Sequence, residues 1–265
     1  MKTLSFNGRK IAYKIEGKGF PVVLLHGFCE DRKVWEDFKL DLLEERYRVL
    51  AIDLPGFGDS EPIEKASIAN YAKAVIAVIE ACKLEQVVLI GHSMGGYTAL
   101  SVAELAPEKL LGLGLFHSHP YADTPEKQAS RYKQIQLVEK YGHQLYVKQL
   151  VPKLFPPNYG KSRPFDLDKL IHRAARYSSE GIIGGLQAML SRADQSEMLQ
   201  SISCPVLFIV GGLDEAIPNS ASLDQLSLPP VASIHILPEV AHMGMLEARR
   251  PIQLMVRQFV DFCLK

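Results

Sequence analysis

The sequence predicts an α/β fold, a mostly parallel central sheet flanked by helices and interrupted by an inserted helical segment. Short continuous apolar runs alternate with stretches of helical periodicity, and several of those runs end in glycine-rich loops. From Pro120 to about Ser201 the strand-like runs give way to helical periodicity alone. The length of 265 residues, with 47% hydrophobic and 23% charged side chains, suits one core carrying one insertion.

Residues 3–16 alternate loosely around Leu4, Phe6, Ile11, Tyr13 and Ile15 with Asn7-Gly8 between the halves, a hairpin pattern at a sheet edge. Pro21–Leu25 is apolar without interruption, as in a strand covered on both faces, and ends at His26-Gly27-Phe28-Cys29. A helix is expected over Lys33–Leu43, presenting Trp35, Phe38 and Leu42 to the core, followed by a strand over Tyr47–Ile52. Asp53-Leu54-Pro55-Gly56-Phe57-Gly58-Asp59-Ser60 forms a constrained turn, in which Asp53, Asp59 and Ser60 are structural. Ile68–Cys82 has amphipathic helical spacing. Val87–Ile90 is the next buried strand, the paired glycines Gly95-Gly96 permit a tight turn, and a helix is expected over Tyr97–Ala106, followed by a strand over Leu110–Phe116.

Within the insertion, helical periodicities cover Pro125–Tyr141, Leu145–Leu154, Leu167–Tyr177 and Glu180–Leu190, punctuated by Pro152, Pro156, Pro157 and Pro164. A stretch this long exceeds an ordinary connection and is read as a cap over the carboxyl edge of the sheet. The expected organisation is a core of 1–119 and 202–265 with a helical cap at 120–201. The strand pattern resumes at Pro205–Val210 and Ala232–Leu237, with helices around Asn219–Leu226 and through the closing stripe Ile252, Met255, Val256, Phe259, Val260 and Cys263.

Gly91-His92-Ser93-Met94-Gly95 follows the Val87–Ile90 run and precedes a helix, which places Ser93 at the apex of a sharp turn near backbone amides. A glycine-rich turn with an incidental serine would read the same over these few residues, so the remainder of the chain decides. Asp214 and His242 also follow strand-like runs, 121 residues beyond Ser93 and 28 beyond Asp214 respectively. Right-handed crossovers in a parallel sheet gather such loops on one edge. A serine nucleophile needs a base to accept its proton, and an acid that holds the imidazole in the required tautomer improves that base.

These motifs, together with His26-Gly27-Phe28 and Asp53–Ser60, resemble the α/β-hydrolase superfamily over the chain apart from the insertion, and in particular capped serine hydrolases of the carboxylesterase and carbon–carbon bond hydrolase kinds. The resemblance implies a catalytic triad of Ser93, Asp214 and His242, and an oxyanion hole formed by the backbone amides of Phe28 and Met94. It implies acyl transfer to and from serine with no cofactor and no metal. The substrate expected is a small or medium carboxylic ester, with carbon–carbon bond hydrolysis and noncatalytic ligand binding as the alternatives. Relatives that cleave carbon–halogen bonds or epoxides use aspartate where this chain has Ser93.

His117, His119, Tyr121, Met189 and Met243 are candidates for the substrate pocket, while Tyr132, Tyr146, Phe155 and Tyr159 of the insertion serve cap packing at least as readily as ligand contact. His26 is expected to organise its own loop. Thirty basic and thirty acidic side chains balance, with no basic stripe, which argues against a nucleic-acid partner. No apolar run approaches the roughly 20 residues that span a bilayer, and the amino terminus turns polar too early for a signal peptide, so no membrane partner and a cytoplasmic location are expected. Oligomerisation is left open. Cys29, Cys82, Cys204 and Cys263 lack metal-binding spacing and read as small buried hydrophobes.

Overall fold

The computed structural model describes residues 1–217 and 219–265, with the side chain of residue 219 outside the description. Eight strands form one sheet: β1 (Lys2–Phe6), β2 (Arg9–Glu16), β3 (Pro21–Leu25), β4 (Arg48–Ile52), β5 (Val87–His92), β6 (Leu110–Phe116), β7 (Val206–Gly211) and β8 (Ala232–Leu237). Their spatial order is β1-β2-β4-β3-β5-β6-β7-β8. The β1–β2 hairpin turns through Asn7 and Gly8 at φ 50° and 76°, values that their residue types tolerate. It joins β4 antiparallel, and every pairing from β4 to β8 is parallel.

The continuous apolar runs of β3, β5 and β7 are buried almost throughout, as strands covered on both faces must be. The flanking helices include α1 (Lys39–Glu44), α2 (Ile68–Ala81) and α3 (Met94–Leu105); α2 packs on α3. Between β6 and β7 lie α4 (Pro125–Tyr141), α5 (His143–Leu150), α6 (Tyr159–Ser162), α7 (Pro164–Ala174), α8 (Ser179–Leu190) and α9 (Ser196–Gln200), with α4 against α8. The chain ends in α10 (Asn219–Asp224), α11 (Gly244–Glu247) and α12 (Arg249–Cys263), the last packing on α1, β6 and β7. No described helix is long and apolar enough to cross a membrane.

Several boundaries depart from the sequence-based expectation for tertiary reasons. The single helix expected over Lys33–Leu43 is instead a 3-10 turn at Arg32–Trp35 followed by α1. Asp53 takes the Arg32 backbone N–H at 2.7 Å and pairs with its guanidinium, and this long-range anchor overrides local helical preference. Gly95 and Gly96 lie inside the first turn of α3 rather than in a turn before it, where a Cβ on Gly95 would meet the Leu25 and His26 carbonyls and one on Gly96 the Ser118 side chain. The 145–154 periodicity divides at Val151, where Pro152 cannot donate an amide to a continuing helix. Of the cysteines, Cys29 and Cys204 are buried, whereas Cys82 and Cys263 are half-buried, Cys82 because it caps the end of α2.

Candidate active site

Ser93, Asp214 and His242 come from loops that leave β5, β7 and β8 at the same end of the parallel sheet. Ser93 occupies φ 50°, ψ −115°, a conformation that a non-glycine residue adopts only when its surroundings fix it. Those surroundings are specific: Ser93 N–H donates to the Phe116 carbonyl at 3.0 Å, and its own carbonyl accepts from Gly96 N–H at 2.8 Å and Ser118 Oγ at 2.9 Å. The strand on one side and the helix start on the other are thereby locked around the serine. Its side chain lines a cavity of about 220 Å³ together with His242 and Phe28.

Asp214 and His242 form a buried pair, with His242 Nδ1 2.7 Å from Asp214 Oδ2. The other carboxylate oxygen accepts from the Ala216 and Ile217 amides at 2.9 and 3.1 Å, so the carboxylate is oriented by the backbone before the imidazole meets it. Burial opposes ionisation of Asp214, but the charge and hydrogen bond of His242, with help from His117 and the Ile217 amide, outweigh it and hold the carboxyl at about 2. Burial likewise works against a charged His242. The Asp214 carboxylate prevails, with smaller contributions from Glu30 and Glu247, and the His242 pKa rises above the ordinary histidine value. Nδ1–H donation to Asp214 leaves Nε2 as the nitrogen free to accept a proton. Ser93 and His242 line the same cavity, and a hydrogen bond between such a pair often tightens only around substrate.

The His242 loop is held by four backbone groups at and beside the histidine. His242 N–H donates to the Leu154 carbonyl at 3.1 Å, and the His242 carbonyl faces His92 Nε2 at 2.8 Å. Glu247 accepts from the amides on either side, Ala241 N–H and Met243 N–H, both at 2.8 Å. His92 in turn places Nδ1 3.1 Å from Glu30, whose carboxylate also takes the Gly27 N–H at 2.8 Å. Burial disfavours the Glu30 anion, yet His92 and the Gly27 amide bring its pKa below the usual value. Replacing Glu247 with alanine strips two buried amides of their acceptor. Its expected cost is about 2 kcal/mol of folding stability, measurable as a lowered urea midpoint at unchanged slope.

The other residues named from sequence are distributed unevenly. Met189 lines the Ser93 cavity, whereas His117, His119, Tyr121 and Met243 do not. His117 lies behind the acid, with Nδ1 3.7 Å from Asp214 Oδ2 and no hydrogen-bond partner for either ring nitrogen among the described residues. Burial drives its pKa well below the ordinary histidine value. His119 accepts from Tyr121 N–H at 3.2 Å and meets the Tyr97 hydroxyl at 3.3 Å, in a separate small cavity beside Arg192, and burial followed by the Arg192 charge brings its pKa down to about 3. Tyr121 stacks on His119, and Met243 is core. His26 bridges the Gly27 carbonyl and the Leu54 amide, tying its loop to the Asp53 turn. Asp53 accepts from the Arg32 and Asp59 amides and pairs with the Arg32 guanidinium, which commits it to that turn.

Sequence reasoning assigns no role to Glu30 or His92, and it reads Glu247, with Ala248-Arg249-Arg250, as a solvated helix start, whereas Glu247 turns inward to the Ala241 and Met243 amides. His92 sits inside the serine motif, so its position was visible while its partners, 62 and 150 residues away, were not. It also passed over the basic residues that face the cavity from α4, Lys127 and Arg131.

Comparison with known proteins places these observations in a known fold. Residues 21–137 match a family model described as alpha/beta hydrolase fold. The chain is 30% identical over 245 residues to the dihydrolipoyllysine-residue acetyltransferase component of the acetoin cleaving system of Pseudomonas putida, covering 91% of this chain and only 64% of that relative. It is 29% identical over 241 residues to the pimeloyl-[acyl-carrier protein] methyl ester esterase of Photobacterium profundum, covering 88% and 91% of the two chains. Among solved structures, a thermophilic esterase from Thermogutta terrifontis superposes with a TM-score of 0.91 at 27% identity, over 96% of this chain and 94% of that one. The sheet order, the strained serine after β5 and this full-length structural likeness agree that the chain has the α/β-hydrolase fold.

Proposed function

We propose that the protein is a serine hydrolase of small carboxylic esters that works through an acyl-enzyme intermediate. The observation carrying this reading is the 2.7 Å His242–Asp214 pair opening onto the same cavity as the strained Ser93. In this mechanism His242 Nε2 accepts the Ser93 proton as Oγ attacks the ester carbon, and Asp214 stabilises the imidazolium that results. The imidazolium gives that proton to the departing alcohol. Water then enters, is deprotonated by the same nitrogen, and attacks the acyl carbon to release the acid and restore Ser93 Oγ–H.

The amides of Phe28 and Met94 are assigned to the oxyanion. Met94 opens α3, and the first amides of a helix lack intrahelical acceptors and carry the positive end of the helix dipole. Such donors favour the tetrahedral intermediate because its oxygen carries more charge than the ground-state carbonyl. Residues 120–201 are assigned as a cap: eight of the sixteen residues lining the cavity come from that stretch. The esterase relatives from Photobacterium profundum and Thermogutta terrifontis support an ester as substrate.

The test is covalent labelling with a fluorophosphonate probe, comparing the native chain with Ser93→Ala. Stoichiometric labelling of the native protein, absent from a folded Ser93→Ala protein, is the expected result. Equal labelling of both would refute the nucleophile assignment. A turnover panel of short esters, longer esters, lactones and carbon–carbon cleavage substrates then separates the ester reading from its neighbours.

A further inference from the structure

The cavity that holds Ser93 and His242 has a basic wall for which the triad has no use. Lys127, Arg131 and Gln134 all line it, and they fall at i, i+4 and i+7 of α4, a spacing that puts them on one helical face. Lys153 lines it as well. Two cations one helical turn apart repel. Nothing among the described residues fully offsets that here.

Arg131 is buried and donates through Nε and Nη2 to Asp123, but the same carboxylate also serves the Nη1 of Arg192 at 2.6 Å. One anion is thus divided between two guanidiniums, and Arg131 Nη1 has no protein acceptor among the described residues. Lys127 reaches only a backbone carbonyl, that of Ala216, at 3.4 Å. Lys127 is an exposed side chain at the cavity; partial burial and the Arg131 charge lower its pKa while the Asp123 and Asp214 charges work the other way. The acidic groups on the cavity do not supply a counterion: Glu30 is engaged with His92 and the Gly27 amide, and exposed Glu215 makes no ion pair with either cation.

We propose that the Lys127–Arg131 face of α4 is a subsite for a carboxylate on the far end of the ester, so that the preferred substrate is a small ester bearing a free carboxylate. This rests on the ester-hydrolase reading above. A cavity of about 220 Å³ holds a molecule of that size, and a carboxylate there would bridge the ammonium and the unpaired guanidinium nitrogen. The carboxylate can stand on the acyl or on the alcohol side of the scissile bond, and the same wall would recognise either.

The test compares kcat/KM for monomethyl glutarate (acyl side) and the acetyl ester of 3-hydroxypropanoate (alcohol side) with those for methyl hexanoate and propyl acetate, their uncharged counterparts. At least one anionic ester should be preferred about tenfold or more, with the preference shrinking as salt is added. Lys127→Met should cut that preference about tenfold, mainly through KM, while a Lys18→Met substitution outside the cavity should not. Absence of any preference in the native enzyme, or a preference untouched by Lys127→Met, overturns the subsite while leaving the hydrolase reading intact. If no ester is turned over at all, calorimetric titration of Ser93→Ala with glutarate decides the matter alone. Saturable binding that is lost in the Ser93→Ala, Lys127→Met double variant upholds the subsite, and absence of binding refutes it.

Discussion

Replacing His242 by alanine is expected to lower kcat for ester hydrolysis by roughly five orders of magnitude while leaving the protein folded. In the proposed mechanism the loss is large because the alkoxide character of Ser93 exists only while a base holds its proton, and among the described residues no second imidazole lines the cavity to replace this one. Asp214→Asn should cost about four orders, since an amide can present its N–H to Nδ1 and trap the wrong tautomer. The pH profile gives an independent sign. The His242 pKa lies above the ordinary histidine value because the Asp214 carboxylate beats burial, and the imidazole must be neutral to act. Activity of the native enzyme should therefore rise with pH along a limb whose midpoint lies above 6.5, and Asp214→Asn should move the residual activity's limb to lower pH. Asp214 itself, held at about 2, stays ionised across that range and adds no limb of its own. A native midpoint at or below the ordinary histidine value would show that the pair seen here does not govern the chemistry.

The parts of this site that were legible in the sequence are those encoded by contiguous residues. Continuous burial of Val87–His92 follows from an uninterrupted apolar run, and the strained serine follows from the glycines around it. Asp214 and His242 were reachable because each ends a strand-like run, and a parallel sheet turns that local fact into a shared edge. What could not be read depends on which side of an element faces which neighbour. Glu30 and Glu247 are ordinary acidic residues in sequence, and only the fold shows that one faces His92 and the other holds the amides flanking His242. The same blindness sent His117 toward the pocket. A residue just past a strand end can face the cavity or the layer beneath it, and the φ of 47° at His117 goes with the second. The α4 periodicity was plain, but its polar face could not be assigned to solvent or to substrate without knowing where α8 and the sheet lay.

The turn that presents Ser93 also makes a single added methyl group costly. A Cβ built on Gly91 would lie 2.2 Å from the Gly95 carbonyl oxygen and 2.6 Å from the Gly96 nitrogen. Both obstacles are backbone, so no rotamer change relieves the contact. Gly91 has no need of a left-handed conformation, and the glycine is required there purely by the closeness of β5 to the first turn of α3. Gly95 meets the same constraint from the other side, 2.6 Å from the Leu25 and His26 carbonyl oxygens. Gly91→Ala must therefore push α3 off the sheet and with it the start of the helix that fixes the Ser93 backbone. The expected cost is about 3 kcal/mol or more, a fall in Tm of roughly 6–12 °C, accompanied by loss of probe labelling at Ser93. Gly8→Ala is the informative comparator, because a Cβ there meets nothing within 4 Å and pays only for its φ of 76°, about 1 kcal/mol. Thermal unfolding of the two variants side by side would show whether close packing or backbone conformation dominates, and equal shifts would mean that β5 and α3 can separate freely. In that event the geometry that strains Ser93 would have to be held by the hydrogen bonds to Phe116 and Ser118 alone.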